Sequence, residues 1–151
     1  MPLALQQADI PTYCDIRFAS PHATFCVTFA QFGIVSGDGG SWGLPKLLGL
    51  SKAMEMTFTA APIDASEALR IGLVSAVAEG DNLMRDANAL AHAIADILPM
   101  RSAWSSACCA MAGHIDLRVH MDMAAAFQAI AHASPEHLSA VERVLRRLRR
   151  V

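Results

Sequence analysis

From residue 37 the chain reads Gly37-Asp38-Gly39-Gly40-Ser41-Trp42-Gly43-Leu44-Pro45-Lys46-Leu47-Leu48-Gly49. Glycines frame one carboxylate and run straight into an apolar segment of helical character. Glycine accepts positive φ and lets a backbone approach a ligand closely. The unpaired N–H groups of a helix start can then hold an oxygen or a negative charge. The loop is neither Gly-x-Gly-x-x-Gly nor a phosphate-binding loop ending in Gly-Lys-Ser/Thr.

A chain of 151 residues is long enough for one domain with a real core. Its hydrophobic content of 54% and charged content of 17% rule out a disordered chain. The uncharged stretch from Phe18 to Gly37 is interrupted by Pro21, His22, Thr24, Thr28 and Gln31, so no membrane span is expected. Met1-Pro2-Leu3-Ala4-Leu5-Gln6-Gln7 lacks the basic start and apolar block of a secretion signal, which makes the cytoplasm the expected compartment. Adjacent Cys108 and Cys109 are a poor disulfide pair and no zinc spacing occurs. With Cys14 and Cys26 they read as small buried thiols. Charge is polarised: residues 143–151 carry five arginines and no acid, and the rest is acidic.

Three stretches follow from local pattern. Residues 1–12, with Pro2 and Pro11, show no regular element. Residues 13–80 read as mixed α/β. Tyr13 to Ala19 and Thr24 to Val27 read as strands. Phe29, Phe32 and Ile34 line a turn of helix, and Ser41 to Leu48 forms a helix closed by Gly49. Another helix covers Ser51 to Thr59. Asp64 and Glu67 make a capping box for a helix that ends at Gly72, and Leu73 to Ala78 is extended. Residues 81–151 read as all-helical. A helix from Asp81 through Leu98 turns Leu83, Ala87, Leu90, Ala91 and Ile94 to one side and is stopped by Pro99. A second stretch at 101–131 weakens at Gly113, and a last helix starts at Ser134-Pro135.

Several of these segments, in this order, resemble the enoyl-CoA hydratase/isomerase (crotonase) family. They are Cys14-Asp15-Ile16-Arg17-Phe18-Ala19-Ser20, Ala23-Thr24-Phe25, Gly33-Ile34-Val35-Ser36-Gly37-Asp38-Gly39-Gly40, Leu44-Pro45-Lys46-Leu47-Leu48-Gly49, Ala53-Met54-Glu55, Ile63-Asp64-Ala65-Ser66-Glu67-Ala68 and Gly72-Leu73-Val74. Pro135-Glu136-His137-Leu138-Ser139-Ala140-Val141 resembles the start of the family's last helix. The resemblance covers residues 13–151. It implies part of a crotonase β-spiral of short strands and helices, followed by a helical region. It also implies that this is the C-terminal part of the family domain, with much of the CoA-binding surface and one oxyanion N–H carried before it. The other oxyanion N–H belongs to a Gly-rich helix start, where this chain has Leu5-Gln6-Gln7-Ala8-Asp9-Ile10-Pro11-Thr12. That segment reads as foreign to the family.

The implied activity is hydration or isomerisation of an acyl-CoA thioester through an enolate. Coenzyme A enters as part of the substrate, and no separate cofactor is implied. Such chemistry needs an anion hole and an acid/base group near Cα or Cβ. Asp38 stands where some relatives place an active-site aspartate; its other reading is a cap for the helix beginning near Ser41. Gly37, Gly39 and Gly40 either approach the substrate or only make a tight turn. Phe29 falls where hydratases have a glutamate, which makes the site drier. It and Trp42 line an acyl pocket in one reading. In the other, Trp42, Phe25, Phe29 and Phe32 are core.

Arg146 and Arg147 read as a solvated helix end or as contacts to CoA phosphates. Nucleic-acid binding is disfavoured by the acidic remainder and the lack of nearby aromatics. His114, Asp116, His120 and Asp122 do not share a helix face and read as a solvated surface rather than metal ligands. The family packs as trimers, which implies a homo-oligomer. The alternative function is a non-catalytic assembly or acyl-CoA-binding module.

Overall fold

The computed structural model describes residues 6–149 apart from 9, 81, 97 and 98. Five two- or three-residue strands and seven α-helices occur among them, in two compact units, residues 1–89 and 90–151.

The first unit is the mixed α/β part. Strands β1 (Gln6–Gln7), β3 (Thr24–Cys26) and β4 (Ile63–Asp64) form one sheet in the order β1-β3-β4. β1 runs parallel to β3 and β4 antiparallel to it. Strands β2 (Phe18–Ala19) and β5 (Ala76–Val77) pair in parallel as a second sheet. Helices α1 (Gly40–Leu48), α2 (Leu50–Thr59) and α3 (Ala65–Arg70) complete the unit. The core gathers Phe25, Val27, Leu44, Ala53, Met56, Ala68, Leu73 and Val74, with Ala8 and Ala19. Small residues dominate because short elements must approach closely to exclude water.

Local signals set the helix ends well. Gly49 sits between α1 and α2 at φ 76°. The Asp64 carboxylate accepts the Glu67 N–H at 2.8 Å and so caps α3. The return half of the expected capping box is not made. The Glu67 carboxylate instead binds the Arg70 guanidinium at 2.6 and 2.7 Å and lies 3.5 Å from the Lys52 ammonium. α3 closes in a Schellman motif, with Leu73 N–H on the Ala68 carbonyl, Gly72 N–H on Leu69, and Gly72 at φ 80°.

That ion cluster predicts a pH response. Hydrogen bonds from Arg70, aided by its charge and by Lys52 against the opposing effect of burial, hold the Glu67 carboxyl at about 2 rather than the ordinary 4.5. A depressed carboxyl stabilises the fold fully above the unfolded value, and the effect fades as pH falls toward the folded one. The stability difference between wild type and Glu67→Gln should therefore be constant above pH 4.5 and shrink between 4.5 and 2. Urea unfolding of both proteins across that range checks it.

Four expectations are corrected. Tyr13 to Ala19 is not a continuous strand. Ile10–Tyr13 is a short 3-10 turn, and pairing begins only at Phe18. The Arg17 side chain turns away to donate to the carbonyls of Leu73 and Cys14, the first of them at the end of α3. Within the stretch 1–12, where no element is expected, β1 pairs with β3 and the Ala8 N–H reaches the Cys26 carbonyl at 3.1 Å; residues 1–5 and 9 lie outside the described residues. Trp42 is 62% exposed and Phe32 73% exposed, so neither is core, whereas Phe25 is buried. None of the four cysteines is in a disulfide; only Cys26 is buried, and Cys14 and Cys109 are exposed.

The helix α4 (Asn82–Ala95) runs across the boundary between the units. It ends before Leu98, and Pro99 opens α5 (Pro99–Met111) rather than stopping α4. Proline is as suited to the first turn of a helix as it is unsuited to the interior. In the second unit the break at Gly113 falls as expected between α5 and α6 (Leu117–His132). Trp104 stacks on Phe127 at 5.7 Å across this pair. α7 (Pro135–Leu148) follows.

Candidate functional site

The glycine loop lies between a second 3-10 turn, Phe29–Phe32, and α1. Gly33 closes the turn at φ 68°, and Ile34 N–H returns to the Phe29 carbonyl at 3.2 Å. Phe29 is half-buried against the core. The chain then runs exposed through Ile34 and Val35 to Ser36.

Asp38 is held from both ends. Its Oδ1 accepts the Ser36 hydroxyl at 2.6 Å and the Gly40 N–H at 3.3 Å. Its backbone carbonyl accepts the Tyr13 hydroxyl. Oδ2 has no hydrogen-bond partner among the described residues, and the side chain is half-buried. The bond to Gly40 satisfies the first N–H of α1, whose N-cap position is taken by Gly39. The open second oxygen leaves the carboxylate able to meet a proton donor or carbon acid.

The glycines divide by role. Gly39 takes φ 85°, the left-handed region, and its carbonyl receives the N–H groups of Trp42 and Gly43 at 3.0 Å. Gly40 is buried at the helix start, and Gly37 is exposed with open space around it. Trp42 points outward, with the Lys46 ammonium 3.5 Å from its ring centroid, a cation–π pair one helical turn apart. A cavity of about 160 Å³ lies between α1 and α2, lined by Gly40, Leu44, Pro45, Ala53 and Met54 among others.

Arg146 belongs to the second unit, on α7, exposed and paired with Glu142 at 2.9 Å. The side chain of Arg147 lies outside the described residues. Asp116 caps α6 through the Val119 N–H at 3.1 Å, and His120 contacts the Cys108 carbonyl at 3.1 Å. Among the described residues, no three His, Cys, Asp or Glu side chains are placed to hold a metal.

Tyr13, Thr12 and Ser36 were not legible as site residues. A Cβ on Gly43 would come within 2.6 Å of the Thr12 hydroxyl, and one on Gly39 would run into the Tyr13 hydroxyl. The glycines themselves were the available signal: two of them mark where the Ile10–Tyr13 turn rests on the loop and on α1.

Comparison with known proteins bears on this arrangement. The family model described as enoyl-CoA hydratase/isomerase matches residues 8–112, more than half of the chain. The match starts within the segment expected to be foreign, so residues 8–12 belong to it. Residues 135–141 lie beyond it.

The chain is 35% identical over 120 residues to a short-chain-enoyl-CoA hydratase of Clostridioides difficile, covering 80% of this chain and 77% of that protein. It is 42% identical over 92 residues to that of Clostridium acetobutylicum, covering 61% and 35%. Among solved structures, the enoyl-CoA hydratase/isomerase of Cupriavidus metallidurans superposes at a TM-score of 0.86 with 31% identity, covering 93% of this chain and 53% of that one. The enoyl-CoA hydratase of Bacillus anthracis superposes at 0.86 with 26% identity, covering 90% and 53%. The chain thus spans about half the length of these solved structures. Its fold is that of the crotonase enzymes, with short strands and a helical remainder in the expected order. By the family match and the Clostridioides relative together, the chain belongs to the enoyl-CoA hydratase/isomerase family.

Proposed function

We propose that this chain supplies the later, loop-bearing part of a crotonase domain acting on acyl-CoA thioesters, with Asp38 as its acid/base group. The observation that carries the reading is the Asp38 carboxylate, fixed at the start of α1 through Oδ1 while Oδ2 stays open. A base so placed takes a proton from the carbon beside the thioester carbonyl. The electron pair moves onto the thioester oxygen as an enolate, and the proton returns further along the acyl chain. Phe29 cannot hold or activate a water, so double-bond isomerisation is favoured over hydration. Gly37, Gly39, Gly40 and Trp42 flank the acyl group in this reading; for the second unit by itself the reading is that Arg146 and Arg147 bind the phosphates of a CoA. Coenzyme A enters with the substrate, and the reaction needs no separate cofactor.

The test is turnover of 3-butenoyl-CoA and of trans-2-butenoyl-CoA by protein carrying the whole crotonase domain, oxyanion N–H groups included. Isomerisation of the first should exceed hydration of the second. Asp38→Ala should lower the rate by about a hundredfold or more, as loss of a general base does. A rate unchanged in Asp38→Ala would remove Asp38 from the chemistry.

A second reading, a non-catalytic assembly module of trimer type, is favoured by the exposed Phe32, Ile34 and Val35 beside the loop. Sedimentation giving a homo-oligomer that binds CoA thioesters without turnover would select it. A monomer would exclude it. No helix among the described residues is long and apolar enough to cross a membrane. The proposed compartment is the cytoplasm.

A further inference from the structure

We propose that Tyr13 is a positioning residue for Asp38, clamping the glycine loop through its hydroxyl so that the carboxylate keeps one orientation. This rests on the reading of Asp38 as the acid/base group.

The hydroxyl of Tyr13 donates to the backbone carbonyl of Asp38, 25 residues away in sequence. Its ring lies against Gly39, where an added Cβ would sit 3.0 Å from Cζ. Thr12, the preceding residue, meets α1 one turn later at Gly43. The Ile10–Tyr13 turn therefore grips the loop at one point and the helix at a second. On the other side of the same residue, Ser36 and the Gly40 N–H hold Oδ1.

Rotating the peptide between Asp38 and Gly39 would break the Tyr13 bond and carry Gly40 away from the carboxylate together. The carbonyl clamp and the carboxylate's hydrogen bonds thus fix a single geometry of one residue. Packing is not the reason for a tyrosine here, because Tyr13 is 66% exposed. A phenylalanine would fill the same space, and only the hydroxyl reaches the carbonyl.

The experiment compares wild type with Tyr13→Phe, which keeps the ring and removes one oxygen. Amide hydrogen exchange in the free chain reads the clamp without any substrate. The Gly40 amide, held by the Asp38 carboxylate, should exchange about five- to tenfold faster in Tyr13→Phe, the effect of loosening one hydrogen bond. The Ala53 and Met56 amides of α2 should exchange as in wild type, which reports an intact fold. Unchanged exchange at Gly40 overturns the clamp.

Turnover of 3-butenoyl-CoA reads the positioning. kcat should fall by about tenfold with KM held within about twofold, the pattern of an interaction that serves the transition state rather than substrate binding. A kcat equal to wild type overturns the positioning role. If wild type itself turns over neither butenoyl thioester, the acyl-CoA reading fails, and the exchange result alone decides the clamp.

Discussion

Replacing Gly39 by valine should destabilise the chain by about 3 kcal/mol and abolish whatever the loop does. Two independent effects add. The first is backbone: Gly39 sits at φ 85°, where a β-branched residue is a genuine outlier, and holding one there costs about 1–3 kcal/mol. The second is space: the new Cβ would fall on the Tyr13 hydroxyl, and over-filling a packed site costs about 1–3 kcal/mol. Tyr13 is exposed and can swing outward, which relieves part of the second effect but breaks its bond to the Asp38 carbonyl.

Equilibrium urea unfolding followed by circular dichroism measures the loss. Gly37→Val is the control, because Gly37 has open space around it and no positive φ. It should stay within about 0.5 kcal/mol of wild type. A Gly39→Val midpoint matching that of Gly37→Val would show that the loop is not held by Tyr13.

Leu44→Ala should cost about 3 kcal/mol, within the range for removing a buried leucine side chain. Leu44 is 1% exposed and stands in the same buried cluster as Phe25, Val27, Ala53 and Met56. It also lines the cavity of about 160 Å³ between α1 and α2. Truncation therefore joins a new void to an existing one instead of leaving a small gap that neighbours can close. Leu44 is on the helix that begins two residues after Asp38, so loop and core should loosen together. Phe58→Ala, at a residue 73% exposed on the next helix and away from that cavity, should stay within about 0.5 kcal/mol. Urea midpoints of the two variants, side by side, decide it.

The parts of this fold that were legible are those coded by neighbours in sequence. Gly49 between two helices, Asp64 as a cap, Gly72 as a terminator and the break at Gly113 were each readable because a cap or a left-handed residue acts within one turn. The glycine loop and Asp38 were legible for the same reason. Phe32 and Trp42 were not readable as exposed, since burial depends on what other elements cover. The strands were hard to bound because each is two or three residues long and exists only through its pairing partner.

The family match and the local geometry of the loop were written in the sequence, because a glycine-framed carboxylate before an apolar helix needs only adjacent residues to form. The tertiary structure alone decided what holds that carboxylate. The Tyr13 hydroxyl comes from 25 residues earlier, and the Arg17 side chain reaches the end of α3 from 56 residues away. Contacts at such separations arise from how short elements stack around a shared core. No period or spacing in the chain encodes them.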